Sequence, residues 1–159
     1  MTAVAPSTAD ALQAITDRLA LRDVVDAYAH CADRRDARGQ AAVFAEDGEV
    51  RLFQGSASTE PVEVIRGRDA LAKTFAGLIE RYDATTYLNG QSSVAVTGDE
   101  AVGETYCMAH HLLRQAGERV LLTMAIRYLD TFRRAGDGWE IARRDLVFDW
   151  TDQRPSMPG

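Results

Sequence analysis

The amino-acid sequence predicts an α+β fold in which helices come first and a curved antiparallel sheet follows. Apolar residues recur at three- and four-residue steps over positions 12–28, a spacing that is typical of a long amphipathic helix. Four strand-like runs then occupy positions 85–150, separated by short turns that contain glycine, as antiparallel hairpins require. Strands this long twist and curl strongly. We therefore expect a cone-shaped sheet that the N-terminal helices close around a cavity, which is a natural ligand site.

The first half of the chain contains the predicted helices. The long helix begins near Asp10, after the capping residues Ser7 and Thr8, and ends near Asp33. The elements predicted next are a short helix over 36–45, a strand over 49–53, a loop that contains Pro61, and a third helix over 67–82. The strands of the second half are predicted over 85–96, 101–114, 119–134 and 139–150.

Length and composition indicate one globular domain. The chain has 159 residues, of which 46% are hydrophobic and 26% charged, with a net charge of −6. Because a protein that binds nucleic-acid backbones normally carries a basic surplus, we expect no nucleic-acid partner. No apolar run is long enough to span a membrane and nothing in the N-terminal sequence suggests secretion, so we predict no membrane partner and a cytoplasmic location. The predicted domain covers 8–152, with loose tails at 1–7 and 153–159.

Four sequence segments carry a resemblance to a known family. They are LRDVVDAY at 21–28, ADRRD at 32–36, VFAEDG at 43–48 and GWEIARR at 138–144. With the order of elements, they make the chain similar to the SnoaL-like branch of the nuclear transport factor 2-like superfamily. This superfamily includes scytalone and bile-acid dehydratases, ketosteroid isomerase, polyketide cyclases, limonene epoxide hydrolase and hexachlorocyclohexane dehydrochlorinase, and also binding proteins without catalysis.

The resemblance implies a catalytic carboxylate at Asp33, where the family places one inside the cone. A carboxylate in an apolar hollow is poorly solvated, which makes it a better base near neutral pH; an ordinary solvated helix end is the alternative. Tyr28 stands where related dehydratases have a tyrosine, and its hydroxyl could donate to a developing oxyanion. Tyr28 and Asp33 lie about 140° apart around a helix, so they converge only if the helix end frays or the cavity wraps around it. A core tyrosine is the alternative for Tyr28.

The histidine that related catalysts pair with this aspartate has no counterpart here. The resemblance puts it at the start of the second strand, where this sequence has Tyr87. A neutral phenol is a poor base at pH 7. Either Asp33 is the base and Tyr28 and Tyr87 donate hydrogen bonds, or the site binds a ligand without reacting.

Two adjacent histidines offer another base. His110 and His111 point to opposite faces of their strand. The resemblance turns the face of Cys107 inward, which selects His111 for the cavity. His111 could supply the missing base from a different wall, and a hydrogen-bonded structural histidine is the alternative.

The last strand carries a candidate cation. Arg144 aligns with a cavity arginine of the dehydrochlorinase-like members and shares a face with Leu146 and Phe148. An unpaired arginine on such an apolar face is costly, so we expect a partner, and Asp33 is the obvious one. The substrate-contacting residues that we predict are Tyr87, Cys107, Met124, Tyr128, Arg144, Leu146 and Phe148.

These residues favour a cofactor-free acid/base enzyme of the dehydratase or isomerase type. Its expected substrate is small and hydrophobic, and a polycyclic or steroid-like molecule is a candidate. A polyketide-type cyclase or epoxide-opening enzyme is one alternative, and a non-catalytic ligand-binding or dimerisation module is another. The sequence contains no metal-binding motif and no nucleotide-binding glycine loop, so we predict no metal and no cofactor.

The outward face of the third predicted strand is apolar. It carries Tyr106, Met108, His110 and Leu112. Because a lone surface rarely exposes such a row, we predict a homodimer through this sheet face.

Overall fold

The computed structural model describes residues 7–157 and confirms the predicted α+β order of elements. The helices are α1 (Thr8–Asp33), α2 (Ala37–Ala42) and α3 (Arg68–Arg81), and the strands are β1 (Phe44–Gln54), β2 (Glu63–Arg66), β3 (Ala84–Thr97), β4 (Glu100–Gln115), β5 (Glu118–Ala135) and β6 (Gly138–Pro155). Among the described residues, no helix is long and apolar enough to cross a bilayer. Of the predicted loose tails at 1–7 and 153–159, residues 1–6 and 158–159 lie outside the described residues.

The described strands form one sheet in the order β2-β1-β6-β5-β4-β3. Its four C-terminal strands are the predicted antiparallel meander, and their hairpins turn at Gly98, Gly117 and Gly136, each with a positive φ. The sheet is mixed rather than wholly antiparallel, because β1 pairs with β6 in parallel. A parallel pair needs a long crossover, which α3 and the meander supply. Strand β2 was not predicted, since its four residues directly follow the loop around Pro61.

The C-terminal strand is longer than the sequence predicts. We expected a loose tail from position 153, but β6 continues to Pro155, which lies opposite Val120 of β5. The equally long β5 offers backbone partners over this stretch. Strand β1 pairs with β6 only as far as Phe148, so Pro155 lies where β6 has a neighbour on one side alone, and proline is tolerated at such a position. At the other end of the domain, Ser7 is not a loose residue, because it forms a capping box with Asp10 of α1.

Helix α1 packs with a different face from the one that the sequence predicts for its first half. Leu12, Ile15 and Leu19 of the predicted apolar stripe are more than half exposed. Asp17 is buried instead and accepts hydrogen bonds from Arg134 and from the indole N–H of Trp139. Because an unpaired buried carboxylate would be costly, this polar anchor fixes the rotation of the helix. Further along, the buried residues are Leu21, Val25, Tyr28, Ala29 and Ala32.

The three helices cover the inner face of the sheet, and the core lies between them. Arg35 follows α1 with a φ of 61° and lets the chain turn into α2. Its guanidinium donates to the carbonyl oxygens of Ile79 and Tyr82, so the end of α1 is fixed to the end of α3. These two helix ends hold the residues that bound the cavity described next.

Candidate active site

A cavity of about 150 Å³ lies between the helices and the inner face of the sheet. It reaches the surface, because Leu78, one of its wall residues, is partly exposed. Its wall contains no charged side chain among the described residues and is mostly apolar. The lining residues are Tyr28, Ala32, Gln40, Val50, Leu52, Ile65, Thr74, Phe75, Leu78, Ile79, Tyr82, Thr85, Tyr87, His111, Met124, Ile126, Leu146 and Phe148.

His111 and Tyr87 form a hydrogen-bonded pair on this wall. The hydroxyl of Tyr87 lies 3.1 Å from Nε2 of His111, and the His111 side chain is only 3% exposed. The ring of Tyr82 also packs against the imidazole, with centroids 4.3 Å apart. The structure thus brings together Tyr87 and His111, which the sequence placed on separate strands with separate roles.

Burial sets the charge state of both partners. It lowers the pKa of His111 to about 4, although the carbonyls of Ala109 and Leu122 favour the protonated ring. Burial also raises the pKa of Tyr87 well above that of an ordinary tyrosine, and the nearby Tyr28 adds to this rise. At pH 7 the pair is therefore a neutral imidazole and a neutral phenol, which share one proton in their hydrogen bond.

Asp33 supports this pair without reaching the cavity wall. Its carboxylate accepts hydrogen bonds from the Thr85 hydroxyl at 2.9 Å and from the backbone N–H of Tyr87 at 3.1 Å. Asp33 is half-buried at the end of α1 and is not among the residues that line the cavity. The carboxylate therefore connects the end of α1 to the start of β3, and Tyr87 of that strand contacts His111.

The predicted pair of Arg144 with Asp33 is wrong. Arg144 forms a two-point ion pair with Asp130 at 2.8 and 2.7 Å. The two residues lie directly opposite each other on β6 and β5, so the strand register brings them together. Burial alone would lower the pKa of Arg144, but the Asp130 carboxylate holds that pKa above its ordinary value.

The Arg144 guanidinium also lies against aromatic rings below the cavity. It is 3.9 Å from the ring centroid of Tyr128 and 4.4 Å from that of Tyr28, which is the range of cation–π contacts. Its side chain is 0% exposed and does not line the cavity. Arg144 therefore packs against the ring of Tyr28. Of Arg144, Tyr128 and Tyr28, Tyr28 alone lines the cavity.

The other predicted contact residues divide into two groups. Met124, Leu146 and Phe148 line the cavity as expected. Cys107 and Tyr128 face inward as predicted, but they are buried in the core and do not line the cavity. Both lie near the buried Arg144, since its guanidinium is 3.9 Å from the ring centroid of Tyr128 and its charge opposes the larger rise that burial causes in the pKa of the Cys107 thiol.

Sequence reasoning missed Gln40, Tyr82 and Thr85 as residues around the site. Tyr82 and Thr85 follow the end of α3, where the chain returns to the sheet. They are the last residue of the predicted helix and the first residue of the predicted strand, and this junction was the available signal. Nothing in the sequence distinguishes Gln40 from a surface glutamine.

Two further features lie outside this site. A second cleft of about 240 Å³ runs between α1 and strands β3 and β4, and contains Arg18 and Arg22. The Arg22 guanidinium is already bonded to Asp26 and to the carbonyls of Asn89 and Gly90.

Within residues 7–157, no cluster of three or more histidine, cysteine or acidic side chains could hold a metal ion.

The fold, with a cavity between the helices and the inner face of the sheet, is that of an NTF2-like α+β protein. A family model described as the SnoaL-like domain matches residues 13–145, and the chain belongs to this family. No curated protein sequence matches the chain.

Solved structures with the same fold include proteins of different names. A protein provisionally named scytalone dehydratase from Novosphingobium aromaticivorans is 25% identical, with a TM-score of 0.76 over 90% of this chain and 91% of that one. An NTF2-like protein with a cystatin-like fold from the same organism is 25% identical, with a TM-score of 0.64 over 88% and 86%. A hexachlorocyclohexane dehydrochlorinase is 15% identical, with a TM-score of 0.77 over 92% and 94%, and at that identity the likeness concerns the fold alone.

Proposed function

We propose that the chain is a lyase or isomerase of the dehydratase type, which moves a proton on a small, largely apolar substrate held in the cavity. The observation that carries this proposal is the 3.1 Å hydrogen bond between the Tyr87 hydroxyl and Nε2 of His111 on the cavity wall. A phenol and an imidazole in contact can accept a proton and return it within one site. The 25% identity to the protein provisionally named scytalone dehydratase favours dehydration as the reaction.

In this proposal His111 accepts a proton through Tyr87 and later returns it. Its imidazole is neutral at pH 7, because its pKa is about 4, so a ring nitrogen is free to accept a proton. Tyr87 takes a proton from a substrate carbon while its own hydroxyl proton passes to Nε2 of His111. The imidazolium then returns the proton through Tyr87 to the leaving hydroxyl, which departs as water. Neither step leaves a charged phenolate in the apolar cavity.

The remaining predicted residues have supporting roles. Tyr28 reaches the cavity and donates a hydrogen bond to a substrate oxygen on which negative charge develops. Asp33 is a positioning residue, since it bonds the backbone N–H of Tyr87 rather than the cavity. Arg144 supports the Tyr28 ring from below.

The cavity volume favours a substrate of about one ring. A dry apolar cavity of 150 Å³ can hold a benzene molecule, and the cavity here has about that volume. This size fits a single ring better than the polycyclic or steroid-like substrate that the family resemblance suggests.

The test is turnover of 3-hydroxycyclohexanone, a one-ring substrate with an acidic C–H next to its carbonyl. Loss of water gives cyclohex-2-enone, whose conjugation is followed by ultraviolet absorbance. We expect turnover by the unmodified chain, a fall in kcat of at least about 100-fold in His111→Gln, and little change in Gln91→Met, a change at an exposed residue of β3 outside the cavity. Unchanged turnover in His111→Gln would contradict the proposal, and binding without any turnover would favour the non-catalytic binding module.

A further inference from the structure

Gln40 is a buried polar residue on a cavity wall that is otherwise mostly apolar. It lies in α2, and its side chain is only 4% exposed. Its side-chain amide hydrogen-bonds with the Tyr28 hydroxyl, a contact that opposes the larger rise that burial causes in the pKa of Tyr28. An amide has two donors and one acceptor, and within residues 7–157 no other side-chain partner of Gln40 is found, so the rest of its hydrogen-bonding capacity faces a mostly apolar cavity, which is costly and rare in cores.

The surroundings of Gln40 are suited to an apolar residue. Val50, Phe75 and Leu146 share the same wall, and a methionine or leucine would bury more favourable surface there. The amide is therefore best explained by a ligand that occupies the cavity and completes its hydrogen bonds. An amide both donates and accepts, so a carbonyl or a hydroxyl group is a matching partner.

The charges around the cavity restrict this ligand further. The wall residues include no lysine, arginine, aspartate or glutamate among those described. The buried cation beside Tyr28, Arg144, is fully enclosed and paired with Asp130. A carboxylate or phosphate would enter without a partner, and its desolvation would oppose binding.

We propose that Gln40 is a specificity-determining residue, and that with the Tyr28 hydroxyl it recognises a carbonyl or hydroxyl oxygen on an uncharged ligand of about one ring. This ligand is the substrate if the proposed dehydratase-type function holds, but its recognition by Gln40 does not require turnover. Gln40 thereby selects oxygenated rings over hydrocarbon rings of equal size.

The experiment compares two probes that differ only by a hydroxyl group, 4-fluorophenol and fluorobenzene. Fluorine NMR titration of the full chain gives Kd for each probe. The proteins are the unmodified chain, Gln40→Met, which keeps the length of the side chain but loses the amide, Gln40→Asn, which keeps the amide but shortens it, and Gln91→Met, the same change at an exposed residue of β3 outside the cavity. Thermal unfolding and circular dichroism establish that each variant is folded.

We expect the unmodified chain to bind 4-fluorophenol about tenfold more tightly than fluorobenzene, as one neutral hydrogen bond allows. Gln40→Met should reduce this preference to about twofold or less, Gln40→Asn should reduce it in part, and Gln91→Met should retain it. A full preference in Gln40→Met would overturn the inference, as would an equal loss in Gln91→Met or no binding of either probe. Loss of preference in Gln40→Met supports it even if 3-hydroxycyclohexanone is never turned over, so failure of the proposed reaction and failure of this inference are distinguishable.

Discussion

The hydroxyl of Tyr87 lies 3.1 Å from Nε2 of His111, which joins strands β3 and β4 on the wall of the cavity. The backbone N–H of the same tyrosine donates to the Asp33 carboxylate at the end of α1. One residue therefore connects the helix end to the buried imidazole, and the chemistry that we propose depends on the position of Tyr87.

The buried His111 makes stability fall in acid. Its pKa is about 4 in the folded chain and about 6.5 in the unfolded one, so between these values the unfolded state binds more protons. Stability therefore falls as the pH drops from about 6.5 to about 4, by about 2 to 3 kcal/mol at pH 4.5 from this group. Urea unfolding at pH 7 and pH 4.5 measures the loss, and His111→Gln should lose less by that amount. An equal loss in the two proteins would contradict the burial of His111 as a neutral ring.

The buried ion pair should be sensitive to the loss of one partner. Asp130→Asn leaves the Arg144 charge enclosed without a carboxylate, and we expect a loss of about 3–5 kcal/mol in urea unfolding. Asp149→Asn is the matched control, because Asp149 pairs with Arg127 on the partly exposed outer face. That change should cost about 1 kcal/mol or less. Similar losses in the two variants would show that the Arg144 pair is not enclosed as described.

Asp33→Asn distinguishes a positioning carboxylate from a catalytic base. If Asp33 only orients Tyr87, kcat for 3-hydroxycyclohexanone should fall about tenfold, with KM and the shape of the pH profile unchanged. Loss of a true base would lower kcat by about 10² to 10⁴ and remove its limb from the pH profile. Asp83→Asn, at an exposed carboxylate after α3, is the control and should behave as the unmodified chain.

The outer face of the sheet should mediate a homodimer. Tyr106 is 41% exposed and Trp150 is 53% exposed, and both lie on the face that points away from the helices. Light scattering should give twice the mass of one chain, and Tyr106→Glu should shift it towards one. Leu12→Glu changes a different exposed apolar surface, on α1, and should leave the mass unchanged. A monodisperse monomer of the unmodified chain would contradict this prediction.

The sequence predicts those parts of the fold that local patterns determine. Ser7 and Asp10 form the expected cap, and Gly98, Gly117 and Gly136 lie in the turns where the hairpins were predicted. Local patterns do not determine which face of a helix packs. The first half of α1 turns Asp17 inward instead of its leucines, because the partners of Asp17 come from a hairpin more than a hundred residues away.

The candidate site was predictable in its residue types but not in its pairings. Family resemblance supplied Tyr28, Asp33 and His111, yet the Arg144 partner depended on the cross-strand register with Asp130. The Tyr87–His111 pair depended on the β3–β4 register, which sequence spacing does not define. Gln40 gave no signal, since only the cavity around it makes a glutamine there unusual.

The central claim, that Tyr87 and His111 act as one proton-transfer unit, is tested most directly by a double-mutant cycle. The measurement is kcat for 3-hydroxycyclohexanone in the unmodified chain, Tyr87→Phe, His111→Gln and the double variant. If the two residues act together, each single change removes most of the rate and the double variant is little worse than either. Losses that multiply in the double variant, or a single variant that keeps full activity, would contradict the account.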